Sequence, residues 1–147
     1  VSLKEKLLDD LKEAMKAKDT VRKDTIQLIR SAILQVEKDK HVTLGDDEIT
    51  DILARELKSK REALAEIENS GRADAVEKAK REIEIILGYM PRQLSREELE
   101  SIVKEAIVET GAVTMKDMGK VMKAVMPKVK GRAEGSVVNE IVKGLLG

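Results

Sequence analysis

The stretch Gly88-Tyr89-Met90-Pro91-Arg92-Gln93-Leu94-Ser95 decides the fold, because strongly helical sequence runs up to it and away from it. Pro91 has no amide hydrogen with which to continue a helix, and it biases Met90 toward extended backbone. Ser95 with Glu98 three residues on is a capping box, in which hydroxyl and carboxylate satisfy two free amides at a helix start. A domain boundary is placed here. Residues 1–90 are expected to form a four-helix antiparallel bundle and residues 91–147 a three-helix unit, with a hinge around 88–95. Tyr89 reads as a packed anchor of that hinge, with its hydroxyl at the rim.

Upstream of the break, apolar residues recur at helical spacing. Ser2 and Glu5 cap a first helix carrying Leu3, Leu7, Leu8, Leu11 and Met15. Asp19 and Thr20 offer the cap of a second, which carries Val21, Leu28, Ile29, Ala32, Ile33 and Val36. Asp46 or Asp47 caps a third, which turns Ile49, Ile52, Leu53, Leu57, Leu64 and Ile67 inward, and Gly71 is placed for a left-handed stop. A fourth starts near Asp74 and carries Val76, Ala79, Ile83, Ile86 and Leu87. Short connections between such helices predict antiparallel packing.

Downstream, Leu99, Ile102, Val103, Ala106 and Ile107 mark a fifth helix that ends at Gly111. Thr114 with Asp117 starts a sixth, and Pro127 ends it. Lys128 to Gly135 reads as a loop, and Ser136 opens a seventh helix with Val137, Val138, Ile141, Val142 and Leu145. No sustained alternation and no hairpin turn signal a strand. The fold class is all-α.

Composition narrows the chemistry. The 147 residues include 28 basic and 28 acidic side chains, so any nucleic-acid site must be a local patch. Cysteine is absent, which excludes disulfides, thiolate zinc sites and cysteine nucleophiles. That absence, with no signal peptide visible, leads to the expectation of a cytoplasmic protein. No run approaches the 18 or so apolar residues of a membrane span, so no membrane association is expected. Tyr89 is the sole aromatic, which removes the stacking platforms used by single-strand binders. Any RNA contact would rest on phosphate charge or on shape. His41 has no nucleophile at a recognisable spacing. The acidic cluster Asp46, Asp47, Glu48 and Asp51 fits a helix start, where carboxylates are favoured, and lacks the calcium-loop pattern. The residues offer no catalytic constellation, and no metal or cofactor is expected.

Thr114 to Gly135 is the exception to the mixed charge. Lys116, Lys120, Lys123, Lys128, Lys130 and Arg132 face only Asp117 and Glu134 there, and Met115, Met118, Met122 and Met126 crowd the same stretch. At 100° per residue Lys116, Lys120 and Lys123 share one face of a helix, while Met115, Met118, Met122 and Val125 share another that would pack on helices five and seven. The basic face reads as a phosphate-backbone patch or as a solvated face. The methionines read as core filler or as an adaptable partner surface. Gly119 costs the helix about 1 kcal/mol relative to alanine, which suggests close approach by a neighbouring helix or a ribose-phosphate chain. Gly131 and Gly135 bracket a turn without P-loop or KH spacing, which reads as a mobile basic loop docking on phosphate or as an ordinary helix connector. In the first part of the chain Lys58, Lys60 and Arg61 are possible contributors to the same basic surface.

These stretches resemble the YqeY family, free-standing relatives of the tail domain of the B subunit of glutamyl/aspartyl-tRNA amidotransferase (GatB). The matching segments are Gly88 to Ser95, Met118-Gly119-Lys120-Val121-Met122, and Lys130-Gly131-Arg132-Ala133-Glu134-Gly135-Ser136-Val137-Val138-Asn139. Lys58 to Ala63 and Ser70 to Asp74 also look familial, so the resemblance covers essentially the whole chain. It implies an all-helical fold in two parts. It also implies a tail that helps hold tRNA while catalysis sits elsewhere in the amidotransferase. A label of carbon–nitrogen ligase with glutamine as amido-N-donor would thus be inherited by name, without the machinery. The resulting expectation is a non-catalytic module for tRNA or other structured RNA. Its contacts would be Lys116, Gly119, Lys120, Lys123, Lys128, Lys130, Gly131 and Arg132. The alternative is a protein-interaction adaptor using the methionine-rich face.

Overall fold

A computed structural model describes residues 1–147, and it is all-α: seven α-helices and one 3-10 turn. The chain forms two compact units, Val1–Met90 and Pro91–Gly147.

The first unit holds α1 (Leu3–Lys16), α2 (Thr20–Lys40), α3 (Asp46–Ile67) and α4 (Ala73–Leu87). The Ser2 hydroxyl accepts from the Glu5 amide at 3.2 Å and Asp19 accepts from the Arg22 amide at 3.2 Å, as their positions predict. The start of α3 differs. Its N-cap is Gly45, and Asp46, Asp47 and Glu48 lie inside the first turn. There they meet the positive end of the helix dipole. Asp46 instead accepts from the Leu3 amide at 3.0 Å, so it satisfies one of the orphan donors of α1. Gly71 does adopt the left-handed conformation, φ +78°, four residues past the end of α3.

Leu7 and Leu11 of α1, Ile26, Ile29 and Ile33 of α2, Ile49, Leu53 and Leu57 of α3, and Ile86 of α4 form the core of this unit. Leu8 and Leu28 do not join them. Each directly neighbours a fully buried residue, and consecutive helical side chains diverge by about 100°, so only one of the two faces inward. Tyr89 seals the core at 8% exposure. Its hydroxyl donates to Asp10 at 2.5 Å, and the Lys6 ammonium stands 5.4 Å above its ring. Arg22 lies 3.6 Å from the same carboxylate. Burial, and then the Asp10 carboxylate, push the Tyr89 phenol well above its ordinary range.

The second unit holds α5 (Arg96–Thr110), a 3-10 turn (Met115–Asp117), α6 (Met118–Val129) and α7 (Gly135–Leu146). Both bonds of the Ser95–Glu98 capping box form, at 3.1 and 3.4 Å, and Gly111 closes α5 at φ +68°. The Thr114–Asp117 box opens the 3-10 turn, so α6 proper starts at Met118. Pro127 does not end α6, which continues through it to Val129. The ring forfeits one bond, to the Lys123 carbonyl, on a face where Lys123 and Pro127 are exposed. Val125 and Val129, both fully buried, hold the last turn against the core.

The core of this unit is a stripe of Val121, Val125 and Val129 on α6. It is enclosed by Leu99, Val103 and Ala106 of α5 and by Val138, Ile141 and Val142 of α7. A polar clasp closes the unit. The Leu94 amide donates to the Arg132 carbonyl at 2.8 Å, and the Gln93 side-chain amide donates to the Gly131 carbonyl at 2.7 Å. The Arg132 guanidinium returns a bond to the Arg92 carbonyl at 3.4 Å, while Arg92 forks onto Glu98 at 3.1 and 2.6 Å.

Tyr89→Phe is expected to destabilise the first unit by about 1–2 kcal/mol in urea denaturation, because it leaves Asp10 one donor short while Arg22 remains. No loss would mean that the hydroxyl bond contributes nothing. The Arg92 hydrogen bond holds the Glu98 carboxyl down to about 2, against an ordinary value of 4.5. A depressed pKa stabilises the fold above the ordinary value, and that stability is lost as pH falls through the folded value. Melting temperatures taken downward from neutral pH should therefore drop between pH 4.5 and about 2, and Glu98→Gln should flatten this part of the profile. An identical profile in the variant would assign the acid sensitivity elsewhere.

Candidate nucleic-acid interface

The valine stripe sets the orientation of α6. With Val121, Val125 and Val129 inward, the helical period of 100° per residue puts Lys120 and Lys123 on the opposite side, together with Pro127. Lys116, in the 3-10 turn just before the helix, falls on the same side. All three lysines are exposed, and none has an ion pair within 4 Å. Asp117 is the one carboxylate within this run. Its oxygen accepts from the Val113 and Thr114 amides at 2.9 and 3.3 Å, and those bonds hold its pKa below the usual carboxylate range. It is committed to capping, with Lys120 in its field.

The other predicted contacts are placed differently. Lys128 lies about 80° round the helix from Lys120. Its ammonium meets Glu109 of α5 at 3.2 Å, with both side chains about half exposed. Lys130 is exposed at the C-cap of α6. Arg132 is half-buried and engaged in the clasp. The segment read as a mobile loop is a short turn between α6 and α7, held by the bonds from Gln93 and Leu94. Gly131 has a backbone reason to be glycine, φ +72°.

Gly119 has no such reason. It is exposed and helical, and a Cβ there would meet nothing within 4 Å. No neighbouring helix approaches it, which removes one of the two explanations for a glycine at that point. The methionines form neither a core stripe nor a bare surface. Met115 is 42% exposed, and Met118, Met122 and Met126 are half-buried at the edge of the core. The packing face predicted from Met115, Met118, Met122 and Val125 is thus rotated toward Val121 and Val129. The valines at i, i+4 and i+8 were the available signal for this, because a stiff branched side chain fills a small three-helix core. In the first unit Lys58 is exposed, whereas Lys60 is drawn to Glu82 at 2.6 Å. No helix is long and apolar enough to cross a membrane.

The profile of the Yqey-like protein family matches residues 4–146. The chain is 30% identical over 135 residues to altered inheritance of mitochondria protein 41, mitochondrial, of Pyrenophora tritici-repentis, covering 89% of this chain and 73% of that protein. The protein of the same name from Kluyveromyces lactis is 35% identical over 106 residues, 70% of this chain and 57% of its own length. That of Lachancea thermotolerans is 35% identical over 85 residues, 57% of this chain and 46% of its own length. All three are named as mitochondrial proteins, which overturns the cytoplasmic expectation. Lack of cysteine bears on disulfides, whereas a compartment is reached through a receptor-read address that helix composition does not encode. With the match running through all seven helices, the chain belongs to the YqeY family.

Proposed function

We propose that this chain is a non-catalytic module that binds structured RNA, with tRNA the class favoured by its resemblance to the amidotransferase tail. The observation that carries the reading is the face of Lys116, Lys120 and Lys123, unpaired and opposite a valine stripe that fixes its direction. The only carboxylate in that run is occupied by two amides. Such a face neutralises phosphates and releases their counterions without needing an aromatic platform. Lys128, Lys130 and Arg132 border it at the far end of α6, as weaker contributors because Lys128 and Arg132 have partners within the unit. Gly119 lets a ribose-phosphate chain come within van der Waals reach of the helix backbone between Lys116 and Lys123. Gly131 acts through the turn that carries its two basic neighbours.

A second reading has its own observation. Met115 is exposed, and Met118 and Met122 are only half-buried beside it, which suits an adaptable protein contact. Salt separates the two, since apolar docking resists moderate salt and phosphate binding does not.

Titration with tRNA over a salt series should give log affinity falling by roughly 0.7–0.9 per log unit of salt for each phosphate neutralised. Replacing Lys116, Lys120 and Lys123 together by alanine should reduce that slope by about 2–3. A slope unchanged in the triple variant removes this face from RNA binding. Gly119→Ala should raise the stability of the second unit by about 0.5–1 kcal/mol while weakening RNA. Higher stability with unchanged affinity would refute backbone approach at Gly119.

A further inference from the structure

The first unit carries a second feature that RNA binding does not use. Between α1 and α2 runs a groove of about 240 Å³, with Leu7 and Ile33 as its floor and Leu8 and Leu34 on its edges. Both floor residues belong to the core, while Leu34 is 62% exposed and Leu8 36%. The volume is below the roughly 300–1,000 Å³ of small-molecule sites, which favours an inserted side chain over a metabolite.

The rim is arranged by charge. At one end the Lys4 ammonium and the Glu37 carboxylate pair with each other, which closes that end. Glu5 stands beside Lys4 on the α1 edge. Arg30 stands on the α2 edge, two helical turns and about 10 Å before Glu37. Neither Glu5 nor Arg30 has an ion pair. One unpaired anion and one unpaired cation therefore occupy diagonal corners of an apolar floor, and the rim as a whole is neutral. A nucleic acid or an anionic lipid surface would find no net charge here to attract it. The complement of such a rim is the rim itself, turned over. A two-fold axis bisecting the line from Glu5 to Arg30 exchanges the two corners, and Leu8 and Leu34 lie between them.

We infer that this groove is an isologous contact between two copies of the chain. Leu34 of each copy seats over the apolar floor of the other, and Arg30 of each copy faces Glu5 of the other. The surface is a knob beside a hole, bounded by charges that attract only in the two-fold arrangement. The patch is smaller than a standard stable interface, so association is weak and depends on concentration.

Sedimentation equilibrium of the full chain, taken up to about 1 mM to reach weak association, tests this. The apparent mass should climb from 16.3 kDa toward twice that value with concentration. Leu34→Lys should hold it at the monomer. Arg30→Glu alone and Glu5→Arg alone should each do the same, by placing like charges opposite each other. The double variant Arg30→Glu/Glu5→Arg should restore self-association. The three substitutions fall at exposed or half-exposed positions, and far-ultraviolet circular dichroism shows whether the helices are intact in all four variants. A wild type that stays monomeric throughout leaves the groove to a foreign helix and overturns the inference. A dimer that survives Leu34→Lys, or a charge swap that fails to restore association in folded protein, overturns it as well.

Discussion

The second unit depends on the clasp between Gln93–Leu94 and Gly131–Arg132. Its core is assembled mainly from valine, alanine and a few larger aliphatics, so apolar burial alone has little margin. Two bonds of 2.7 and 2.8 Å tie the segment leading into α5 to the turn leaving α6, across 38 residues of sequence. Each is worth on the order of 1 kcal/mol net, but an unmade bond at the same place would cost more than a made one contributes. The left-handed backbone at Gly131 belongs to the turn that presents both carbonyls to that segment. Once the clasp is set, α6 has little freedom to roll, and its lysine face is held outward.

The clasp also gives the family motifs a physical meaning. Gly88 to Ser95 and Lys130 to Asn139 lie far apart in sequence and meet at these bonds. In the first motif Gln93 contributes its side-chain amide, and Leu94 its backbone amide together with a side chain packed against the core. Gly131 and Arg132 are in the second for geometry as well as charge. A motif rich in glycine and arginine suggests a ligand. Here much of it holds the unit together, and the residues without an internal task are Lys116, Gly119, Lys120 and Lys123.

The first unit solves a related problem with one aromatic. Tyr89 comes directly after the α4 C-cap and fills the rim of an otherwise aliphatic core. Its hydroxyl reaches Asp10, which also faces Arg22, so this polar tip at the core edge is satisfied by a carboxylate that is itself neutralised. Formal charge balances over the whole chain, yet the two units use charge differently. In the first, most cations at helix contacts have partners, as Lys4 has Glu37 and Lys60 has Glu82. On α6 Lys120 and Lys123 lie where no helix packs, while Lys128 pairs with Glu109 of α5.

The sequence by itself determined the all-α class, the seven helices in order and the N-caps of α1, α2 and α5. Those features follow from local rules: spacing of apolar residues, a hydroxyl or carboxylate at a helix start, glycine where the backbone turns left-handed. It also carried the YqeY resemblance, because the motifs are contiguous. Only the tertiary structure decided which face of α6 is buried. Methionine and valine are equally apolar on the page, and the choice between them rests on how α5 and α7 close around the helix. The same holds for Pro127, tolerated inside α6 because the lost bond lies on the solvent side while Val125 and Val129 anchor the turn. Asp46 reads as a cap for its own helix and instead serves α1, and Arg132 reads as a phosphate contact and is committed to the Arg92 carbonyl. Each of these depends on residues about 40 positions away, and pairings at that distance are set by packing, which no local pattern encodes.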